Sequence, residues 1–120
     1  MTHFDELAGR YIETWNETDE HKRRELIDRY WSPNARYIDP LGVARGPEAI
    51  ASMIAGAQSQ FAGFEFSLAG SVDAHHDLAR FSWHLGKSGE APVVVGFDVA
   101  ECDSEGRLTS VLGFLDQVPA

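Results

Sequence analysis

The stretch PVVVGFDVA (residues 92–100) is the part of the sequence around which the predicted fold is built. Three consecutive valines do not alternate between core and water, so both faces of this strand should be covered. Asp98 interrupts the apolar run, although aspartate is depleted in strands and an unpaired buried charge is costly. By the two-residue period of a strand, Asp98 shares one face with Val94, Gly96 and Ala100. That face offers small residues around an acid, as a cavity requires, and the opposite face is continuously apolar.

The length and the charge of the chain limit its architecture and its partners. With 120 residues and a hydrophobic content of 43%, it is expected to form one domain over residues 1–120. A net charge of −9 argues against nucleic acid or an anionic membrane as a partner, and the basic residues at 21–24 are expected to form a solvated helix face. Cys102 is the only cysteine. With no signal peptide or membrane-spanning run in the sequence, a cytoplasmic protein is expected.

Hydrophobic periodicity predicts three helices followed by a sheet. The first helix covers residues 4–15, the second carries Trp31 on its apolar stripe, and the third begins at Pro47. Residues 35–39 form a short strand before a turn signal at 39–42. Residues 64–75 and 78–85 are predicted to form a hairpin, followed by the central strand and a last strand at 108–118. Helices followed by a four-strand antiparallel meander are typical of the α+β class.

Three side chains are candidates for chemistry, and each has a structural alternative. Asp39 is a turn former in its Asp-Pro-x-Gly setting, Asp98 could pair with a buried Arg36 or Arg80, and Tyr11 could be a core aromatic. Together they suit proton transfer, because one carboxylate can act as an ionised base while neutral groups donate to a developing oxyanion. Asp39 at a strand end should stay solvated, whereas desolvation in mid-strand should raise the pKa of Asp98.

The sequence resembles the nuclear transport factor 2-like superfamily, and specifically its SnoaL-like group, over nearly its whole length. The resemblance rests on RYIE (residues 10–13), NARYIDPLG (34–42), GPEAI (46–50) and an Asp98 that precedes Gly106 by eight residues. It implies a cone in which three N-terminal helices pack on a strongly curved, mainly antiparallel sheet around an internal pocket. Members include steroid isomerases, polyketide cyclases, epoxide hydrolases, dehydratases and proteins that only bind.

The resemblance also implies roles for the three candidates. Asp39 looks like the general base of the steroid isomerases, Asp98 like their protonated oxyanion-hole acid, and Tyr11 like their oxyanion-hole tyrosine. The stretch between Tyr11 and Asp39 is about one helical turn longer than the corresponding stretch of the steroid isomerases. By helix periodicity, this leaves open whether Tyr11 or Trp15 faces the pocket. Trp31 and Ile54 stand where the isomerases have supporting tyrosines, so the resemblance implies that this tyrosine relay is lost.

The expected function is that of a small, cofactor-independent enzyme that abstracts a proton next to a carbonyl in a small hydrophobic ketone or polyketide-like substrate. The alternative is a non-catalytic module for hydrophobic small-molecule binding or dimerisation. No spacing of His and Cys is typical of a metal site, and neither metal nor cofactor is expected. The residues expected to contact substrate are Trp15, Trp31, Met53, Phe81, Trp83, Val111 and Leu115.

A homodimer is also expected. Val93, Val95, Phe97 and Val99 form an apolar face of the central strand, and the sequence contains no fourth helix that would cover it. An exposed apolar sheet face of that size is typical of an interface.

Overall fold

The computed structural model describes residues 3–119 and contains three helices and six strands in that range. The helices precede most of the sheet, as the sequence predicts, and pack on one of its faces to form an α+β fold. The elements in chain order are α1 (His3–Asn16), α2 (Glu20–Tyr30), β1 (Trp31–Asp39), β2 (Gly42–Arg45), α3 (Pro47–Gln60), β3 (Glu65–His75), β4 (Leu78–Gly86), β5 (Val94–Cys102) and β6 (Leu108–Gln117).

The sheet has the strand order β2-β1-β6-β5-β4-β3 and does not close into a barrel. The predicted meander is present as β3 to β6, and the hairpin turn at residues 76–77 is confirmed. Strand β2 was not predicted; it forms because the turn at 39–42 folds the chain back so that Asp39 pairs with Gly42. All neighbouring strands are antiparallel except β1 and β6, which run parallel.

Two predictions about the second helix are wrong. Trp31 does not extend α2, because its backbone is already extended and it pairs with Leu108 as the first residue of β1. The basic residues at 21–24 are not all solvated, since the Arg23 side chain is buried. Its guanidinium donates to the backbone carbonyl of Glu17 and to Gln58 Oε1, and so stabilises the loop that follows α1.

The alternation predicted for the central strand is confirmed. Val94, Gly96, Asp98 and Ala100 are buried on the helix-covered inner face, and the intervening residues of β5 are less buried. On the outer face, Phe97 stands opposite Phe114, whose side chain is 57% exposed. Within residues 3–119, no helix is long and apolar enough to cross a membrane.

Candidate active site

Asp98 is the buried centre of the first hydrogen-bond network on the inner face. Its side chain is fully buried, and its Oδ2 accepts hydrogen bonds from the Tyr11 hydroxyl at 2.7 Å and from Trp83 Nε1 at 3.1 Å. Within residues 3–119, its Oδ1 has no hydrogen-bond partner. The predicted alternative of a pair with arginine is not realised: Arg80 bonds to Asp73 at the surface, and Arg36 precedes the inward-facing Tyr37 and therefore points to the outer face.

Trp83 reaches Asp98 because residue 96 is a glycine. Trp83 on β4 stands directly opposite Gly96 on β5, and a Cβ atom at position 96 would overlap the Trp83 indole. The indole therefore lies across the glycine backbone, and its N–H extends to the carboxylate two residues further along β5. Gly96, a small residue as predicted for this face, therefore leaves the space that the Trp83 indole needs to donate to Asp98.

Asp39 is the centre of a second network at the end of β1. Its Oδ1 accepts the backbone N–H groups of Leu41 at 2.8 Å and Gly42 at 3.1 Å, which is the turn-forming role expected of Asp-Pro-x-Gly. Its Oδ2 accepts a hydrogen bond from the Tyr37 hydroxyl at 2.8 Å. These three donors fix the carboxylate in one orientation, in which Oδ1 accepts two hydrogen bonds and Oδ2 accepts one.

A glycine on β6 separates the two carboxylates, which lie on the strands β1 and β5 at either side of β6. Gly113 on β6 pairs with Asp98 on β5, and a Cβ atom at position 113 would lie 2.8 Å from Asp98 Oδ1 and 3.4 Å from Asp39 Cβ. A contact of 2.8 Å is closer than a real Cβ tolerates, so any larger residue would displace the Asp98 carboxyl. The two carboxylates are therefore close enough to influence each other.

The pKa values follow from this arrangement. Burial raises the pKa of Asp98 to about 6, and the charge of Asp39 acts in the same direction, while the hydrogen bonds from Tyr11 and Trp83 oppose the rise. Burial and the charge of Asp98 also raise the pKa of the Tyr11 and Tyr37 hydroxyls well above their ordinary value. Both phenols are therefore neutral hydrogen-bond donors at physiological pH.

A cavity of about 530 Å³ opens in front of Tyr11 and Asp39. This volume lies within the range of small-molecule sites. Its rim includes Leu41 and Val118, which are 80% and 56% exposed. The residues that line it are Tyr11, Ile12, Trp15, Tyr37, Asp39, Leu41, Ala57, Gln60, Phe61, Phe66, Trp83, Leu85, Val94, Leu115, Val118 and Pro119.

Comparison with known proteins decides the family. Residues 8–111 match the family model of the SnoaL-like domain. The chain belongs to the SnoaL-like family. It is 42% identical to a candidate isomerase of this family from Agrobacterium tumefaciens, whose crystal structure superposes with a TM-score of 0.91 and a coverage of 97% of this chain and 99% of that chain.

More distant SnoaL-like and cystatin-like structures share the fold. A candidate SnoaL-like polyketide cyclase from Jannaschia has 19% identity and a TM-score of 0.76, with 95% of this chain and 85% of that chain covered. A protein of unknown function with a cystatin-like fold from Methylobium petroleophilum has 22% identity and a TM-score of 0.75, with 98% and 78% covered. No match was found among the curated proteins.

Five predicted site residues meet at the SnoaL-like cavity. Tyr11, Asp39, Trp15, Trp83 and Leu115 all line it. The alternative between Tyr11 and Trp15 is therefore resolved, because both side chains contribute to the wall. Their ring centroids lie 6.2 Å apart in an edge-on contact.

The other predicted residues lie outside the described wall and support it. Trp31 and Phe81 pack against the Tyr11 ring at centroid distances of 5.8 and 5.5 Å. Val111 is fully buried opposite Tyr37, and Met53 packs half-buried against the core. Asp98 does not line the described cavity, and its hydrogen bonds from Tyr11 and Trp83 connect it to the cavity wall.

Tyr37 lines the cavity and donates to Asp39, but it was not predicted as a site residue. It lies two residues before Asp39, so the period of a strand places both side chains on one face, and this spacing could have revealed it. Among the described residues, no three His, Cys, Asp or Glu side chains converge as metal ligands would.

Proposed function

We propose that this SnoaL-like protein catalyses cofactor-independent proton transfer at a carbon next to a carbonyl, in an isomerisation or cyclisation of a small hydrophobic ketone or polyketide-like compound. The observation that carries the proposal is that Asp39 and the neutral donor Tyr11 line one largely apolar cavity. A base and an oxyanion donor on one bound ketone are the two groups that enolisation requires. The similarity to a candidate isomerase and a candidate polyketide cyclase supports the same reaction class.

Asp39 is the general base in this proposal. Its carboxylate is held by the Leu41 and Gly42 backbone N–H groups through Oδ1, so it cannot rotate away from the cavity. Oδ2 takes only the Tyr37 hydroxyl and is the oxygen that receives the proton. A fixed carboxylate lowers the entropy cost of reaching the reactive geometry.

Tyr11 stabilises the enolate oxygen, and Asp98 determines where the Tyr11 proton points. When Asp98 is ionised, the Tyr11 hydroxyl donates to Oδ2. When Asp98 is protonated on that oxygen, it donates to Tyr11 and leaves the phenol proton free for the substrate oxygen. Trp83 donates to Oδ2 in either case. Asp98 is therefore a positioning residue, and oxyanion stabilisation should weaken as pH rises above its pKa of about 6.

The test is deuterium exchange at the carbon next to the carbonyl, followed by proton NMR in D₂O with β-tetralone and decalone as probes. Asp39→Asn should lower the exchange rate at least about 100-fold, since a positioned general base contributes about 10²–10⁴-fold. The amide oxygen can still accept the backbone N–H groups of the turn, so the fold and the ligand affinity should be retained.

Asp28→Asn is the matched control, because Asp28 is a surface residue of α2 that pairs with Arg24. It makes the same chemical change outside the cavity and should leave the exchange rate unchanged. Equal exchange rates in Asp39→Asn and wild type would refute the role of Asp39. Ketones that bind without any exchange would instead favour the non-catalytic binding alternative.

A further inference from the structure

The wall of the cavity carries one negative charge, that of Asp39. None of the wall residues in the described part of the chain carries a positive charge. Asp39 is the only ionisable acid or base among the described wall residues apart from the neutral phenols, and none of these residues is Lys, Arg or His. The chain as a whole has a net charge of −9. An anionic ligand would therefore enter a site of low dielectric against a like charge, with no cation to compensate it.

Aromatic rings extend from this carboxylate along the wall. Tyr37, which donates to Asp39, has its ring centroid 5.3 Å from that of Trp15. Trp15 lies 5.5 Å from Phe66, and Phe66 lies 5.3 Å from Trp83. Aromatic faces attract organic cations by about 0.5–2 kcal/mol each, and more strongly where water is excluded. A carboxylate at one end of an aromatic wall is the combination that recognises an organic ammonium ion.

We propose that the cavity binds hydrophobic primary amines in their ammonium form, with the ammonium paired to Asp39 and the hydrocarbon part packed against the aromatic wall. The ammonium donates to Oδ2 of Asp39, the oxygen that holds only the Tyr37 hydroxyl. The volume of about 530 Å³ leaves room for a compact polycyclic hydrocarbon. This inference rests on charge and aromatic content alone, so it stands whether or not Asp39 acts as a base in proton transfer.

The experiment uses three probes with one hydrocarbon skeleton and different charge, which are adamantylamine, adamantanol and adamantanecarboxylate. Binding to the full chain is followed at pH 7.5 through the indole N–H signals in two-dimensional NMR. Trp15 and Trp83 line the cavity, and Trp31 lies outside its wall and serves as the internal reference. The amine should bind at least about tenfold more tightly than the alcohol, and the carboxylate at least about tenfold more weakly.

Two variants locate the source of the selectivity. Asp39→Asn should abolish the preference for the amine over the alcohol and leave the affinity for the alcohol within about twofold, because it removes only the charge. Asp28→Asn changes the net charge equally on the exposed surface of α2 and should leave all three affinities unchanged.

Three results would overturn the proposal. They are equal affinities for the amine and the carboxylate, an amine preference that persists in Asp39→Asn, and failure of the amine to shift the Trp15 and Trp83 signals at millimolar concentration. A failure of ketone exchange in the earlier assay has no bearing on these readouts, so the two proposals can fail separately.

Discussion

Replacement of Asp98 by asparagine should change the pH dependence of stability. In the wild type, burial raises the pKa of Asp98 from the ordinary value of 3.8 to about 6. A group whose pKa is raised by folding contributes stability that is present at low pH and is lost as pH rises through the folded-state value. The loss should occur between about pH 4 and pH 6.5, where the unfolded chain has already released the proton that the folded chain still holds.

The magnitude follows from these two values. At 1.36 kcal/mol for each pH unit, a rise from 3.8 to about 6 corresponds to about 3 kcal/mol of unfolding free energy. The side-chain amide of the Asp98→Asn variant cannot ionise, so the difference in stability between this variant and wild type should grow by most of that amount, about 2–2.5 kcal/mol, between pH 4 and pH 7.5, in favour of the variant. The new amide N–H₂ beneath Gly113 adds a cost of about 1–3 kcal/mol if it stays unpaired. That cost does not vary with pH and cancels from the slope.

Urea unfolding monitored by tryptophan fluorescence at several pH values measures this difference. Asp73→Asn is the control, because Asp73 is exposed and pairs with Arg80 at the surface, and its curve should stay nearly parallel to that of the wild type. Parallel curves for Asp98→Asn and wild type between pH 4 and pH 7.5 would show that Asp98 has an ordinary pKa in the folded chain. They would also remove the basis for the proposed influence of Asp98 on Tyr11.

Two further predictions concern the sheet. Gly96→Ala should lower the free energy of unfolding by about 1–3 kcal/mol, because the new Cβ displaces the Trp83 indole. Gly56→Ala on α3 is the control and should be neutral or stabilising, because a Cβ at that position meets open space. Urea midpoints that shift equally in both variants would contradict this prediction. The homodimer stays a prediction, and Phe114→Asp should dissociate it because the substitution puts a charge on the outer sheet face. Sedimentation of the wild type as a monomer at micromolar concentration would exclude that dimer.

The features that the sequence predicted correctly depend on neighbours a few residues away. The two faces of β5, the hairpin turn at residues 76–77 and the helical start at Pro47 all follow from strand period, turn chemistry or capping. The desolvation of Asp98 follows in the same way, since an acid within an apolar run is buried wherever that strand packs. Trp31 was wrongly predicted to be helical from the periodicity of its neighbours. Its strand conformation follows from pairing with Leu108, which is distant in sequence.

The sequence by itself therefore determined the α+β class, the central strand with its buried acid, and the turn that holds Asp39. Only the tertiary structure decided which groups meet there. Tyr11 reaches Asp98 across 87 positions of the chain, and the pairing of β5 with β6 brings Gly113 between the two carboxylates. The indole of Trp83 and the phenol of Tyr11 shield Asp98 from the cavity. These contacts depend on which strands pair and in which register, and that pairing is set by burial summed over the whole sheet, which no local pattern contains.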